Sequence, residues 1–459
     1  MTFFANKIQK IDKLNDFLGL ILIGLSAILL AIWAVSHTIA LRNIVLVTGS
    51  ILSIFYITLN WHKVNVKHLA SRLIVLPLFL IALLFFWILY HFSYLSRYPE
   101  QQLIELLSTW FRSLLAVLMA MGTAFAISNR LMFLGLSSAL IFVSFVFLLF
   151  QYIVQAYAMS SLFTHGYSGY IFRPKVNAVL IGSLAIAGIV GSQFVIQDKN
   201  SKFCWLVSRQ FAALMIFVVV YLYVFALGAR SGFGLSVIIL AIGTIWFVIN
   251  PSTNRKFFLG RGLLIKFIFF SAALIIFAVV QAQKNGAWPT LIDDVKVGLQ
   301  VSKYQNWRNP EKLGYPESVP GRVVVASTYE RIAWPTAGLT IFLPDNLLGT
   351  GVLKDSFPRL LEKKYGETIE KIPSTHSAWV DIGLAYGLPG MFLLISPLVL
   401  LVFISIKRRR NLDGFIFVMA TSILVIYAIC EAASQHGFEI LMYFTVFLST
   451  LNLLCEVSD

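Results

Sequence analysis

The stretch FLGLILIGLSAILLAIWAV, residues 17–35, decides the class of fold, because no charged residue interrupts it. A helix that spans a lipid bilayer needs about 20 mostly apolar residues, and this stretch meets that requirement. It follows Lys7, Lys10 and Lys13 and lacks an obvious small-residue cleavage site. It is also longer than the apolar region of a typical signal peptide, so we predict an uncleaved first membrane span.

The rest of the chain repeats this pattern. The 459 residues are 58% hydrophobic and only 12% charged, with a mean hydropathy of +0.82, whereas soluble domains carry about 25% charged residues. The composition therefore predicts an all-α polytopic membrane protein. We predict twelve spans, at residues 17–35, 44–60, 73–95, 112–128, 131–155, 176–196, 206–227, 231–249, 263–281, 388–406, 414–430 and 438–455.

The distribution of Lys and Arg predicts the orientation of these spans. With both termini in the cytoplasm, the cytoplasmic connections are rich in basic residues: Lys63, Lys67, Arg72, Arg130, Lys199, Lys202, Arg209, Arg255, Lys256, Arg261, Lys266 and the run of residues 407–410. The short connections on the opposite side hold only Arg42, Arg97, Arg112, Arg173, Lys175 and Arg230, as the positive-inside rule requires of short loops. This asymmetry accounts for much of the net charge of +15, so the charge does not call for a nucleic-acid partner.

One connection is far longer than the others. Residues 282–378, between the ninth and tenth spans, form a polar segment that the orientation places outside the cytoplasm. Its helical stretches are punctuated by Pro335, Pro344, Gly349 and Gly351, so we predict a folded, partly helical cap. The predicted organisation is spans 1–9 in residues 1–281, the cap in 282–378, and spans 10–12 in 379–459.

Three polar residues on the cap side suggest a reactive site. Arg230 begins the eighth span, Arg331 lies in a helical stretch of the cap, and His376 precedes the tenth span. We predict that a short helix carries His376 and ends at the helix-breaking Gly387 and Pro389. Two guanidinium groups can hold a diphosphate through paired hydrogen bonds. A histidine beside them can take a proton from a hydroxyl group at neutral pH. Together they predict transfer of a group from a diphosphate-linked donor to an alcohol.

Each of these residues also has a structural interpretation. Arg230 could extend to the membrane interface, Arg331 could pair with Glu330 or Asp345, and His376 could be a surface residue. Two further basic residues, Arg173 and Lys175, could bind the diphosphate or anchor the sixth span. Glu431 and His436, in the last outside turn, are interpreted as structural. Four aromatic residues are candidates for stacking on sugars: Tyr167, Tyr170, Trp307 and Trp334.

Three stretches resemble the bacterial O-antigen ligase family. HSAWVDIGLAYGLPG, residues 376–390, is similar to its motif of histidine, then Asn, Ser or Gln, nine residues, glycine, two residues and glycine; His376, Ser377, Gly387 and Gly390 fill the defined positions. GARSGFGLSVI, residues 228–238, resembles the family's arginine motif at a span end. ERIAWPTAGLTIFLPDNLLGTG, residues 330–351, resembles the start of its large periplasmic loop.

The resemblance implies a glycosyltransferase of the bacterial inner membrane whose site faces the periplasm. Its donor would be a glycan on undecaprenyl diphosphate and its acceptor a sugar hydroxyl of lipid A-core oligosaccharide. His376 would be the general base, with Arg230 and Arg331 on the diphosphate. The family uses no nucleotide sugar and no metal. In agreement, residues 36–43 contain no Asp or Glu, and the chain has no phosphate-binding loop of the Walker type and no His or Cys metal spacing. No cofactor is predicted.

Other functions remain open on the sequence. O-antigen polymerases and protein O-oligosaccharyltransferases share the superfamily and would differ in their acceptors. A transporter or lipid flippase would also have many spans, but such proteins usually show repeat symmetry between their halves. Here the halves look unlike, and the large polar segment lies on one side late in the chain.

Overall fold

A computed structural model describes most of the chain. The described residues are 2–61, 72–128, 130–160, 171–172, 175–195, 209–250, 290–366, 374–431 and 436–454. Within them the fold is almost entirely helical, as expected for an all-α polytopic membrane protein.

The membrane part is a bundle of long apolar helices. Its helices are α1 (Thr2–Ile32), α2 (Ile39–Asn60), α3 (Arg72–Tyr94), α4 (Pro99–Glu105), α5 (Phe111–Ser128), α6 (Leu136–Ala158), α7 (Lys175–Ser192), α8 (Arg209–Phe225) and α9 (Arg230–Ile249). After the cap follow α14 (Ala378–Arg408), α15 (Asn411–Ile429) and α16 (Gly437–Leu454).

The spans agree with the hydropathy pattern. Among the described residues, ten helical segments are long and apolar enough to cross a membrane, and a shorter apolar helix, Gln210–Phe225, coincides with the predicted seventh span. The predicted ninth span, residues 263–281, lies outside the described residues. The fourth span is longer than predicted, because a π-helical turn, Leu106–Trp110, joins α4 to α5 in one continuous helical segment. Residues 99–110 mix buried and exposed positions, and their sequence is not a continuous apolar run, so hydropathy did not identify them as part of the span.

The cap consists of short elements around its own core. They are α10 (Leu291–Leu299), α11 (Pro310–Leu313), the strands β1 (Glu317–Val319) and β2 (Arg322–Val323), α12 (Ala326–Ala337) and α13 (Ser356–Tyr365). The strands pair antiparallel, with Glu317 opposite Val323. The core gathers around Trp307, Phe342 and Phe357 and continues onto Val380 and Leu384 of α14. The start of α14 is therefore packed with the cap as well as with the membrane bundle.

The last helix, α16, lies at the centre of the bundle. All residues of its apolar window are buried, and it packs against α3, α5, α14 and α15. The end of the bundle that carries the cap, where α15 ends and α16 begins, is here called the cap end.

A break at Gly387 divides α14 into a short first segment and a long membrane segment. Gly387 has φ 70° and ψ −174°, a conformation outside the helical region. The break removes helical partners from nearby backbone groups, and other elements replace them: the carbonyls of Leu384 and Ala385 accept hydrogen bonds from Thr350 N (3.0 Å) and Gly351 N (2.7 Å). Trp87 Nε1 donates to the carbonyl of Tyr386 at 2.9 Å. In a membrane such irregular backbone is tolerated only where protein satisfies it.

Replacing Gly387 with alanine is expected to destabilise the protein by about 1–3 kcal/mol, because that backbone conformation is nearly restricted to glycine. An added Cβ would also lie 2.3 Å from the carbonyl oxygen of Leu347. Thermal unfolding of the detergent-solubilised protein measures the effect. The matched control is Gly234→Ala in α9, where a Cβ has nothing within 4 Å; equal melting temperatures for the two variants would contradict the prediction.

Candidate functional site

His376 lies in a tight turn just before α14, and the predicted short helix, which begins only at Ala378, does not carry it. Its φ of 64° is positive, an uncommon conformation for a residue other than glycine. The helix begins two residues later, at Ala378. Such backbone conformations persist only where the surrounding structure enforces them, and they cluster at functional sites.

The turn is held by the first segment of α14 and by the end of α15. The fully buried Asp381 accepts hydrogen bonds at Oδ1 from Thr375 N and Thr375 Oγ1, both at 2.8 Å. Ala378 N donates to the carbonyl of Cys430 at 3.0 Å. These bonds connect the turn to two membrane helices, so the position of His376 is fixed by the bundle and not by the cap alone.

The imidazole of His376 is paired with a carboxylate. Its Nδ1 lies 2.6 Å from Oε1 of Glu431, and both side chains are largely buried. The ring also stacks on Trp334 of α12, with centroids 5.0 Å apart and planes inclined by 27°. A carboxylate acceptor favours the tautomer with its proton on Nδ1 and leaves the Nε2 lone pair as the proton acceptor. The pair therefore has the arrangement of an oriented general base.

Glu431 remains a carboxylate in this environment. Burial by itself raises the pKa of Glu431, but the hydrogen bond and charge of His376, a hydrogen bond from Ser374 and the charge of Arg331 outweigh it, so the pKa is lowered. A lowered pKa keeps the acceptor for Nδ1 ionised at neutral pH.

Arg331 reaches the same place from the cap. It belongs to α12, and its Nη1 donates to the carbonyl of Ile429, the last residue of α15, at 3.1 Å. Its charge acts on Glu431 and Cys430. The alternative ion pairs do not form: Glu330 accepts a hydrogen bond from the hydroxyl of Tyr315 at 2.5 Å, and Asp345 pairs with Lys364 at 2.6 Å.

Arg230 begins α9 and is linked to the same cap helix. Its Nη2 donates to Oγ of Ser327 at 2.8 Å, and Ser327 lies one turn before Arg331 on α12. Residues four apart lie on the same helix face. Helix α12 thus connects Arg230 with Arg331, and Arg331 with the His376–Glu431 pair.

The other predicted residues have varied positions. Gly387 forms the break in α14. Gly390 allows close packing, since a Cβ there would lie 2.5 Å from Cβ of Tyr386. Ser377 is buried at the N-cap of α14, where its backbone N–H and carbonyl contact Thr375. Lys175 is exposed at the start of α7, and no described contact joins it to the site. Arg173 lies outside the described residues.

The two candidate tryptophans are not available to sugars. Trp307 is fully buried in the cap core, where its Nε1 donates to the carbonyl of Val301 at 2.9 Å. Trp334 is also buried, and it packs against His376. Their expected role in sugar stacking is therefore wrong, because the cap uses both rings to build its core. Tyr167 and Tyr170 lie outside the described residues.

Glu431 is the site residue that the sequence analysis named but interpreted as structural. It is 55 positions from His376 along the chain, and only the packing of α14 against α15 brings the two together. A signal was present in its location, because a carboxylate at the cap-side end of a span costs free energy to bury unless a partner compensates it.

Two further chemistries can be assessed at the site. Within the described residues, no three His, Cys, Asp or Glu side chains are grouped so that they could hold a metal ion; metal independence stays a prediction. The neighbouring Cys430 is buried, and burial raises its pKa to about 12. A thiol with so high a pKa is a poor nucleophile at neutral pH.

The fold and the site define a polytopic all-α membrane protein with a folded cap and a buried His–Glu pair at their junction. Models of protein families, curated protein sequences and solved structures were compared with the chain, and none matches it.

Replacing Glu431 with glutamine is expected to weaken the orientation of His376. A charge-assisted hydrogen bond contributes about 1.5–3 kcal/mol, which corresponds to at least about a tenfold loss of any activity that uses His376 as a base. The matched control is Glu330→Gln, which removes a cap carboxylate bonded to Tyr315 instead. Equal activity of the Glu431→Gln variant and the wild type would contradict the role of the pair.

The Glu431→Gln substitution is also expected to change how the stability of the protein depends on pH. Because folding lowers the pKa of Glu431 below its ordinary value of 4.5, the stabilisation is present above that pH and is lost as the pH falls through the lowered pKa. The wild type should therefore unfold at a higher temperature than Glu431→Gln at pH 5, and the difference should shrink at more acidic pH. Thermal unfolding at a series of pH values measures this.

Proposed function

We propose that this protein is a membrane glycosyltransferase that moves a glycan from a polyprenyl diphosphate to a hydroxyl group, and specifically an O-antigen ligase. The observation that carries the proposal is the His376–Glu431 pair, at 2.6 Å, with Arg331 on the adjoining carbonyl of Ile429. This geometry supports a general base and a guanidinium group that act together near the ends of the membrane helices.

His376 acts on the acceptor. Its Nε2 takes the proton of the acceptor hydroxyl as the oxygen attacks the anomeric carbon of the donor sugar. Glu431, bonded to Nδ1, holds the ring and stabilises the imidazolium that forms. A positioned general base of this kind contributes about 10²- to 10⁴-fold to the rate.

Arg331 and Arg230 act on the leaving group. As the new oxygen–carbon bond forms, the bond between the anomeric carbon and the diphosphate oxygen breaks, and its electron pair stays on the diphosphate. Fixed guanidinium groups stabilise this charge without accepting or donating a proton. Displacement in one step inverts the anomeric centre. Arg331 must exchange its bond to the carbonyl of Ile429, or add to it, in order to reach the diphosphate.

The location of the site suits substrates carried by lipids. His376 precedes the membrane helix α14, and Arg230 begins the membrane helix α9, which supports a site close to the headgroups of membrane lipids. The resemblance of residues 376–390 to the O-antigen ligase motif narrows the donor to undecaprenyl diphosphate and the acceptor to lipid A-core. With the orientation predicted from Lys and Arg, the site faces the periplasm of the inner membrane.

The lipopolysaccharide of a deletion strain tests the proposal. On a gel, a ligase predicts the loss of all O-antigen from lipid A-core, while long polymer accumulates on the carrier lipid. A core that carries a single repeat would instead indicate a polymerase. Normal lipopolysaccharide with loss of glycan from a surface protein would indicate a protein O-oligosaccharyltransferase. The deletion strain is complemented with the wild-type protein and, separately, with the His376→Ala variant. This comparison distinguishes the effect of losing His376 from the effect of losing the whole protein.

A further inference from the structure

A second cluster of charged residues lies at the cap end, around Glu439 of α16. We propose that Arg42, Arg112 and His436, arranged around Glu439, bind the phosphate group of a membrane lipid. The proposal does not depend on the transfer reaction, because none of these residues belongs to the His376–Glu431 pair.

Glu439 is fully engaged by the residues around it. It is 1% exposed. Its Oε1 lies 2.5 Å from Nε of Arg112, and its Oε2 lies 2.8 Å from Nδ1 of His436. Trp33 Nε1 also donates to Oε2, at 3.4 Å. Both carboxylate oxygens of Glu439 therefore already have partners, before a second arginine near them is counted.

Arg42, near the start of α2, is that second arginine. It is 6% exposed, and it interacts electrostatically with both Glu439 and Arg112. One terminal nitrogen donates to the carbonyl of Trp33. Its Nε is buried without a hydrogen-bond partner in the part of the chain that the structure describes. Two arginines thus share one carboxylate, and a buried cation that lacks a counter-charge is costly.

The neighbouring undescribed connections supply no further carboxylate. Residues 161–170 precede Ile171, whose carbonyl accepts a hydrogen bond from Ser36 N beside this cluster. Residues 432–435 lead into His436. Neither connection contains Asp or Glu. Within the described residues, Glu439 is thus the carboxylate shared by the two arginines, and a bound anion would balance their remaining positive charge.

The surroundings of the cluster favour an anion with an apolar tail. Arg112 is accessible, with 31% of its side chain exposed, and the side chains of Phe111 and Leu107 beside it are exposed and apolar. Ile39 and Leu41, next to Arg42, are likewise exposed. Basic pockets between membrane helices bind lipid phosphates, and the planar guanidinium group matches phosphate oxygens. The exposed Arg112 would contact the phosphate directly, and the buried Arg42 would add its positive charge without direct contact.

Binding to the purified full-length protein in detergent tests the proposal. The probes are short-chain phosphatidic acid, diacylglycerol with the same acyl chains, and inorganic phosphate, each titrated and followed by thermophoresis. Phosphatidic acid is expected to bind at least about tenfold more tightly than the other two, because it alone combines charge with apolar contact. Its affinity should fall with added salt.

Variants distinguish a phosphate site from a structural ion pair. Arg112→Gln is expected to weaken phosphatidic acid binding about tenfold, the loss of one charge-assisted contact. Glu439→Gln is expected to strengthen it, because the competing carboxylate charge is removed. The control, Lys354→Gln, removes an exposed positive charge elsewhere at the cap end and should change nothing. If Arg112→Gln does not fold, Arg112→Lys and the salt dependence of the wild type are used.

Three results would overturn the proposal. Equal affinity for phosphatidic acid and diacylglycerol would remove the role of the phosphate. Equal affinity for phosphatidic acid and inorganic phosphate would remove the role of the lipid. Unchanged phosphatidic acid binding by an Arg112→Gln variant that melts like the wild type would show that Arg112 only forms an ion pair with Glu439.

Discussion

The variant His376→Ala is expected to lose glycan transfer by about 10²- to 10⁴-fold, the contribution of a positioned general base. The imidazole is the group that can take the acceptor proton, and its only described carboxylate partner, Glu431, is bonded to the other ring nitrogen. Turnover of purified protein with a polyprenyl-diphosphate glycan and an acceptor measures the effect. The loss should appear in kcat, because the proton is transferred in the transition state.

The control for this experiment is His37→Ala. His37 is exposed at the cap end, in the connection between α1 and α2, and should be dispensable. Thermal unfolding of both variants checks that the fold is intact, since His376 also stacks on the buried Trp334. Activity near the wild-type level in a His376→Ala protein that inserts and melts normally would remove His376 from the reaction.

The variant Arg331→Ala is expected to reduce turnover by about 10²- to 10³-fold, the loss that follows removal of one fixed donor from a developing negative charge. Arg331→Lys should recover part of this activity. Lysine keeps the positive charge but lacks the planar fork that contacts two phosphate oxygens at once. The measurement is kcat and KM for the diphosphate donor in both variants.

Arg331 also holds the end of α15 through the carbonyl of Ile429, so a structural effect must be separated from a catalytic one. The matched control is Arg322→Ala, which removes a half-exposed cap arginine near Asp293 and Asp294. If Arg331→Ala lowers the melting temperature but leaves the activity of the remaining folded protein unchanged, Arg331 is structural. A selective loss of activity at an unchanged melting temperature supports its role on the diphosphate.

Hydropathy predicted the membrane helices well because the bilayer imposes its requirement locally. Each span must be apolar over its own length, whatever it packs against, and eleven of the predicted spans coincide with described apolar helices. The break near Gly387 was also predictable, since Gly387 and Pro389 both disfavour an uninterrupted helix. What these residues did not indicate was that His376 lies in a turn before the short segment instead of on it.

Charged residues at span ends were harder to interpret. Glu431 and His436 were both interpreted as structural; Glu431 pairs with His376, the candidate base, and His436 pairs with Glu439. A sequence shows that a carboxylate is present at the end of a span, but its role depends on which helices adjoin it. That in turn depends on side-chain packing between helices distant in the chain.

The sequence by itself determined the fold class, the presence of a cap, and the alternation of spans that gathers Arg230, Arg331 and His376 at one end. These follow from the length and composition of individual segments. Only the tertiary structure decided which side chains meet: His376 with Glu431, Arg230 with Ser327, and Arg42 and Arg112 around Glu439. The physical reason is that the bilayer acts on each segment separately, whereas a polar contact requires two segments to pack within hydrogen-bonding distance.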